Sequence, residues 1–274
     1  MSKITEDKYN DIKELYNNGM NAKDIGKIYG VSNTTILVHL RKMGVDIRSI
    51  STTTQKYSLN ESYFDSIDTG NKAYILGLMY SDGCVYVNKN KYSYKMSISL
   101  QEDDVDVLQK IKNEMNYNGK LQYHVTDESR KNVYSLVINN KHIVESLIKH
   151  GVVPRKTFEI DFPNWLDDSL VHHFIRGIID GDGHIDKTQI NFTGTKMLCD
   201  SFRNYMLEHY NMTSNIRKRT TKNTVDLLET WGIYKYDKKC WFANWLYNDS
   251  DIYMDRKYNS CIEFGYLNRQ YLMP

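Results

Sequence analysis

Apolar and aromatic residues recur at helical spacing through the first fifty positions. Tyr9, Ile12, Leu15 and Tyr16 mark a helix that stops at Gly19. AKDIGKIY predicts a second helix behind Asn21 as a cap, GVS interrupts it, and NTTILVHLRKM resumes with Ser32 as N-cap. Residues 46–70, DIRSISTTTQKYSLNESYFDSIDTG, carry Ser, Thr and charge without a sustained period and read as a linker. Beyond them the chain repeats itself. AYILGLMYSDGCVYV (73–87) and HFIRGIIDGDGHIDK (173–187) align at an offset of 100. Gly77 falls on Gly177, Tyr80 on Asp180, Ser81 on Gly181 and Asp82 on Asp182.

The segments downstream of the two copies match in outline. After the first come a strand and then YSYKMSISLQ, in which Tyr94, Met96, Ile98 and Leu100 alternate with Lys95, Ser97, Ser99 and Gln101. The helix DVDVLQKIKNEM, strands near GKLQYHV and NVYSLVI, and the helix KHIVESLIKHG complete the first unit. The second supplies TQINFTG, the helix KMLCDSFRNYMLEHY, the strands SNIRKRT and LLETWGIYKY, and the helix KKCWFANWLYN. Each unit is therefore αββαββα, and the fold class is α+β with a small all-α unit in front.

FIRGIIDGDG (174–183) sets an electrostatic problem. A helix C-terminus carries partial negative charge and unsatisfied carbonyls, so Asp180 and Asp182 are repelled there unless something positive compensates them. Composition changes the picture little. Of 274 residues, 41% are hydrophobic and 26% charged, which describes a soluble chain able to bury a core. No run is long enough for a membrane helix, and MSKITEDKYN lacks the apolar centre of a signal peptide, so a cytoplasmic location is expected. Cys84, Cys199, Cys240 and Cys261 contain no CxxC pair, which argues against a zinc site or a disulfide framework. With a net charge of only +2, any basic surface must come from local placement.

The amino-terminal pattern resembles the DNA-binding helix-turn-helix domains found at the ends of phage and recombinase proteins. Gly26 lies where two helices cross, Gly30 in the turn, and Val31, Ile36 and Leu40 in a shared core. Such a unit would present Asn33, Thr34 and Thr35 to base edges, with Arg41 and Lys42 near phosphate. A plain three-helix packing module is the other reading.

ILGLMYSDG and FIRGIIDGDG are similar to the motif of the LAGLIDADG endonucleases, and the resemblance spans roughly residues 73–267. It implies two pseudosymmetric halves in one chain, joined by their motif helices, with the sheets forming a saddle over duplex DNA. Gly77 and Ser81, and Gly177 and Gly181, lie four apart on one helix face and allow close backbone approach. The resemblance assigns Asp82 and Asp182 to metal binding and catalysis with Mg²⁺, or another divalent cation such as Mn²⁺. It also implies a catalytic basic residue near the active site late in each half, matched by Lys156 in GVVPRKTFE and Lys257 in YMDRKYN, which would stabilise charge or organise water around the scissile phosphate. Tyr80 departs from the motif at a position taken as less catalytic. DNA contacts are expected from Lys95, Ser97, Ser99 and Gln101 and from Arg217 and Arg219, which alternation puts on one face with Lys218 opposite.

These readings divide the chain into a helix-turn-helix (1–49), a linker (50–72) and two repeats (73–166 and 167–274). The function they imply is a monomeric, site-specific double-strand DNA homing endonuclease with a long pseudo-palindromic target. A non-cleaving DNA-binding regulator and an RNA maturase on the same fold stay open. A calcium loop over DGDGHIDKTQIN is disfavoured, because Ile185 stands where that loop needs glycine and Asn191 where it needs glutamate.

Overall fold

A computed structural model describes residues 4–47, 57–126, 131–156, 159–221 and 224–267, with the side chains of Glu6 and residues 219–227 excepted. The chain divides into two compact units, Met1–Lys56 and Tyr57–Pro274.

The described residues of the first unit form three α-helices: α1 Tyr9–Asn17, α2 Ala22–Tyr29 and α3 Asn33–Lys42. Ile12, Tyr16, Ile25, Ile36 and Leu40 form its core. The Asn21 side chain accepts the Asp24 N–H and Ser32 accepts the Thr35 N–H, so both expected caps are made. Gly30 ends α2 with φ of 65°, a conformation costly for any side chain. Gly26 is needed for space, because a Cβ there would come within 2.6 Å of the Val31 carbonyl oxygen.

The second unit holds two lobes in the same order. The first contains α4 Gly70–Tyr80, β1 Gly83–Asn88, β2 Ser93–Gln101, α5 Val105–Glu114, β3 Gln122–His124, β4 Val133–Ile138 and α6 Lys141–Lys149. The second contains α7 Asp168–Asp182, β5 Gly183–Ile185, β6 Ile190–Thr195, α8 Lys196–Tyr210, β7 Asn215–Thr221, β8 Thr224–Ile233 and α9 Tyr236–Tyr247, followed by α10 Asp255–Glu263. The sheets are antiparallel with matching orders, β1-β2-β4-β3 and β5-β6-β8-β7. Met96, Ile98 and Leu100 face the core, so the alternation in β2 is realised.

The stretch expected to be a linker ends earlier than composition suggests. Residues 50–56 lie outside the described residues, but Tyr63 and Phe64 are buried in the core of the two lobes. Ser58 donates its N–H to the Asn118 side chain, and Thr69 caps α4. Two apolar rings decide the matter there, since burying them outweighs the polar average around them.

α4 and α7 pack against each other along their length. Every residue of α4 from Ala73 to Tyr80 is buried, a pattern that only a helix covered on all sides adopts. The approach is limited by backbone. A Cβ on Gly77 would overlap the Phe174 carbonyl oxygen and sit 3.2 Å from the Gly177 Cα; one on Gly177 would lie 2.6 Å from the Leu78 nitrogen. These neighbours belong to opposing backbone and cannot rotate aside. Gly77→Ala is therefore expected to cost about 1–3 kcal/mol through overpacking, read as a lower urea midpoint. A midpoint equal to that of the wild type would contradict the close backbone contact.

Candidate active site at the paired helix ends

The helix crossing brings two chain reversals together. α4 ends at Tyr80 with Ser81 as C-cap, α7 runs to Asp182, and each chain then enters a strand at glycine, Gly83 or Gly183. Ser81 Oγ lies within hydrogen-bond distance of the Leu78 carbonyl (3.2 Å) on its own helix and the Gly177 carbonyl (3.4 Å) on the other. A Cβ on Gly181 would overlap Ser81 Oγ and approach Asp82 Oδ2 to 3.0 Å. Gly181 thus leaves room for the carboxylate of the opposite lobe.

Asp82 and Asp182 stay accessible to solvent, yet protein crowds both carboxyl groups. Burial, and then the charge of Asp182, push the Asp82 pKa up to about 6. Burial also raises that of Asp182. Lys257, Lys156 and Arg256 oppose the rise at Asp82, in that order. Burial is the larger cause at both, and a bound cation would offset the cost of ionising the two carboxyl groups there.

The two lysines occupy the helix ends themselves. Lys156 Nζ donates to the carbonyls of Tyr80 and Ser81, each at 2.7 Å. Lys257 Nζ donates to the carbonyls of Asp180 (2.8 Å), Gly183 (2.7 Å) and Ile179. Here is the positive partner that the charges at the end of α7 require. Lys257 is buried, and burial lowers its pKa to about 8; burial lowers that of Lys156 also. Both ammonium groups are bonded to backbone carbonyls at the helix ends.

The expected contact residues fall on the polar sheet faces. In the first lobe Lys95 pairs with Tyr86, Ser97 with Cys84 and Ser99 with Ser135, while Ser99 and Gln101 are exposed. In the second lobe Thr193 pairs with Thr230, and Thr230 with Arg217, whose guanidinium lies 4.4 Å from the Tyr234 ring centroid. The β7–β8 register shifts between Lys218 and Thr220. The extra residues of that shift lie on β8, between Val225 and Glu229, and the side chain of Arg219 lies outside the described residues. In the other unit Asn33 and Thr34 are exposed at the start of α3, Thr35 is half-buried and bonded to Ser32, and Arg41 is exposed.

A cavity of about 250 Å³ opens beside Asp182, lined also by Ser81, Lys156 and Thr193 among others. Among the described residues no group of three or more His, Cys, Asp or Glu could hold a metal ion. Asp82 and Asp182 supply two hard carboxylates at the paired helix ends.

The sequence comparisons match this two-lobe arrangement. A LAGLIDADG endonuclease model matches residues 75–152, a LAGLIDADG-like domain model residues 169–239, and a model for the helix-turn-helix domain of resolvase residues 2–42. The chain belongs to the LAGLIDADG endonucleases. The crystal structure of I-DmoI in complex with DNA and Ca shares the fold with a TM-score of 0.51 at 16% identity, covering 74% of this chain and 99% of that one. The I-LtrWI LAGLIDADG homing endonuclease bound to target DNA aligns with a TM-score of 0.48 at 14% identity, over 75% of this chain and 89% of that one. No curated protein matches the sequence.

Two residues of the second LAGLIDADG helix acquire roles that motif reading alone misses. Asp180 is fully buried, accepting from the Tyr74 hydroxyl (2.8 Å) across the helix pair and from the Met254 N–H (2.8 Å). Arg176, also fully buried, donates to the carbonyls of Ile252 (3.0 Å) and Leu246 (2.9 Å). An arginine four residues before an aspartate, inside FIRGIID, was the available signal.

Burial also pushes the Asp180 pKa up to about 6. A carboxyl that holds its proton more tightly when folded adds stability below its unfolded pKa of about 4, and that contribution is lost as the pH rises through about 6. Asp180→Asn removes this dependence. In EDTA, the stability of the variant relative to wild type should therefore rise between about pH 4.5 and pH 7.5, as measured by urea denaturation. A difference that stays constant with pH would contradict the raised pKa.

Proposed function

We propose that this chain is a site-specific homing endonuclease that cuts both strands of duplex DNA with a divalent cation, Mg²⁺ or Mn²⁺, at the ends of its paired helices. One observation carries the reading: Asp82 and Asp182, from two repeats, end adjacent helices with both pKa values raised, while the nearby lysines are bonded to backbone carbonyls instead of to them. The donor set suits a hard cation that keeps several waters and takes phosphate oxygen as a further ligand. When bound, such a cation supplies water activation and charge neutralisation at the phosphate.

The chain's own residues do the rest. Asp82 and Asp182 must be ionised to hold a cation, so activity should fall as the pH drops through about 6. Lys156 and Lys257 hold the helix-end carbonyls, which keeps those dipoles from adding to the carboxylate charge. Lys95, Ser97, Ser99, Gln101 and Arg217 would contact the duplex from the sheet faces, and unlike residues in the two lobes imply an imperfectly palindromic target. Both motif helices come from one chain, so a monomer suffices. Asn33, Thr34 and Arg41 would add contacts on flanking DNA, raising effective concentration through the tether. Among the described residues no helix is long and apolar enough to cross a membrane.

The test begins with selection of bound duplexes from a randomised library, followed by incubation with Mg²⁺. Wild type should linearise a plasmid carrying the selected site, while Asp82→Asn and Asp182→Asn each lose at least about a hundredfold in rate. Binding without cutting would return the regulator, and preference for structured RNA over the duplex would return the maturase. Trimming the flanks of the site should weaken wild-type binding; affinity independent of flank length would reduce the first unit to a packing module.

A further inference from the structure

The two motif copies differ two positions before the carboxylate, with Tyr80 in one and Asp180 in the other. A phenol donates a hydrogen bond and an ionised carboxylate only accepts, yet both meet a later segment of their own lobe. Tyr80 donates its hydroxyl to the His150 carbonyl at 2.7 Å, just past the end of α6. It also stands against Gly151, where φ of 94° redirects the backbone toward Lys156, and a Cβ on Gly151 would overlap the phenol oxygen. Asp180 accepts the N–H of Met254, the N-cap of α10, at 2.8 Å, one turn ahead of Lys257. Each lysine then returns to the carbonyls at the end of the helix that carries Tyr80 or Asp180. In both lobes the circuit runs from motif helix to a later segment of the lobe, to the lysine, and back to the helix end.

We propose that Tyr80 and Asp180 are matching positioning residues, each fixing against its own motif helix the segment that delivers its own lobe's lysine, Lys156 or Lys257. The side chains differ because the backbone groups presented to them differ. The first lobe offers a carbonyl, which needs a donor, and a carboxylate there would face another oxygen. The second offers an N–H, which needs an acceptor. Asp180 has a second task that Tyr80 lacks, accepting the Tyr74 hydroxyl from α4. The loss of acid in the first copy is therefore a change of hydrogen-bond polarity with the mechanical role retained.

The proposal deepens the endonuclease reading and rests on it for its effect on cleavage, so its test has an arm that needs no cleavage. Amide hydrogen exchange of the full chain is measured for Tyr80→Phe, Asp180→Leu and Asp180→Asn. Tyr80→Phe should speed exchange across residues 151–156 by up to about tenfold and leave 252–257 unchanged; Asp180→Leu should do the reverse. Asp180→Asn, which keeps an acceptor, should stay within about twofold of wild type and covers the case in which the leucine variant does not fold. In the second arm, strand-labelled target is cut under single turnover. Tyr80→Phe should slow one strand and Asp180→Leu the other, with affinity for the target in Ca²⁺ unchanged. Equal exchange changes in both segments, no change in either, or equal slowing of both strands would overturn the assignment. If wild type does not cut DNA at all, the endonuclease reading fails, and the exchange arm alone decides the tethers.

Discussion

The contact of α4 with α7 through Gly77 and Gly177 is the constraint on which the rest of the molecule depends. Backbone meets backbone there, so the separation of the helices is set by main-chain atoms that have no alternative rotamers. Both C-termini consequently arrive at one place, and two partial negative charges converge with two carboxylates. Burial raises the pKa of both Asp82 and Asp182, and at Asp82 the charge of Asp182 adds to the rise. Lys156 and Lys257 offset the carbonyl half of the problem. The carboxylate half is left open to solvent, which is where an added cation would act.

The pseudosymmetry is one of topology more than of chemistry. Sheet order, helix order and the lysine-to-helix-end bonds repeat, while the buried polar groups around them do not. The second lobe sinks Arg176 and Asp180 into the interface, with Asp180 Oδ1 lacking a partner among the described protein atoms. The first lobe meets the equivalent need with one phenol, Tyr80. Buried charged networks cost more to desolvate than a neutral hydroxyl and bind their partners more selectively. Arg176 adds bonds to the Leu246 and Ile252 carbonyls in the second lobe.

Much of this is legible in the sequence because it is periodic or repeated. The offset of 100 locates both motif helices, and alternation in SYKMSISLQ defines a core face and a polar face. The features that escape depend on direction and not on pattern. Lys156 and Lys257 can be placed near the carboxylates, but whether they face phosphate or carbonyl is a matter of side-chain path. Tyr63 and Phe64 are hidden by polar neighbours whose average says linker, although two buried rings outweigh that average. The register shift between β7 and β8, where β8 carries the extra residues between Val225 and Glu229, follows no period in the sequence. Motif comparison passes over Asp180 because its counterpart lacks the acid, when the shared feature is a bond to a later segment of the lobe.

Everything proposed for cleavage requires Asp82 and Asp182 to act together as one cation site created by the helix crossing. Mn²⁺ binding followed by electron paramagnetic resonance, on the free protein and on its complex with target duplex, tests it most directly. Asp82→Asn and Asp182→Asn should each weaken the tightest binding, and the double variant should lose little beyond either single one, because the two carboxylates share the site. Unchanged Mn²⁺ affinity in the double variant would contradict a shared site.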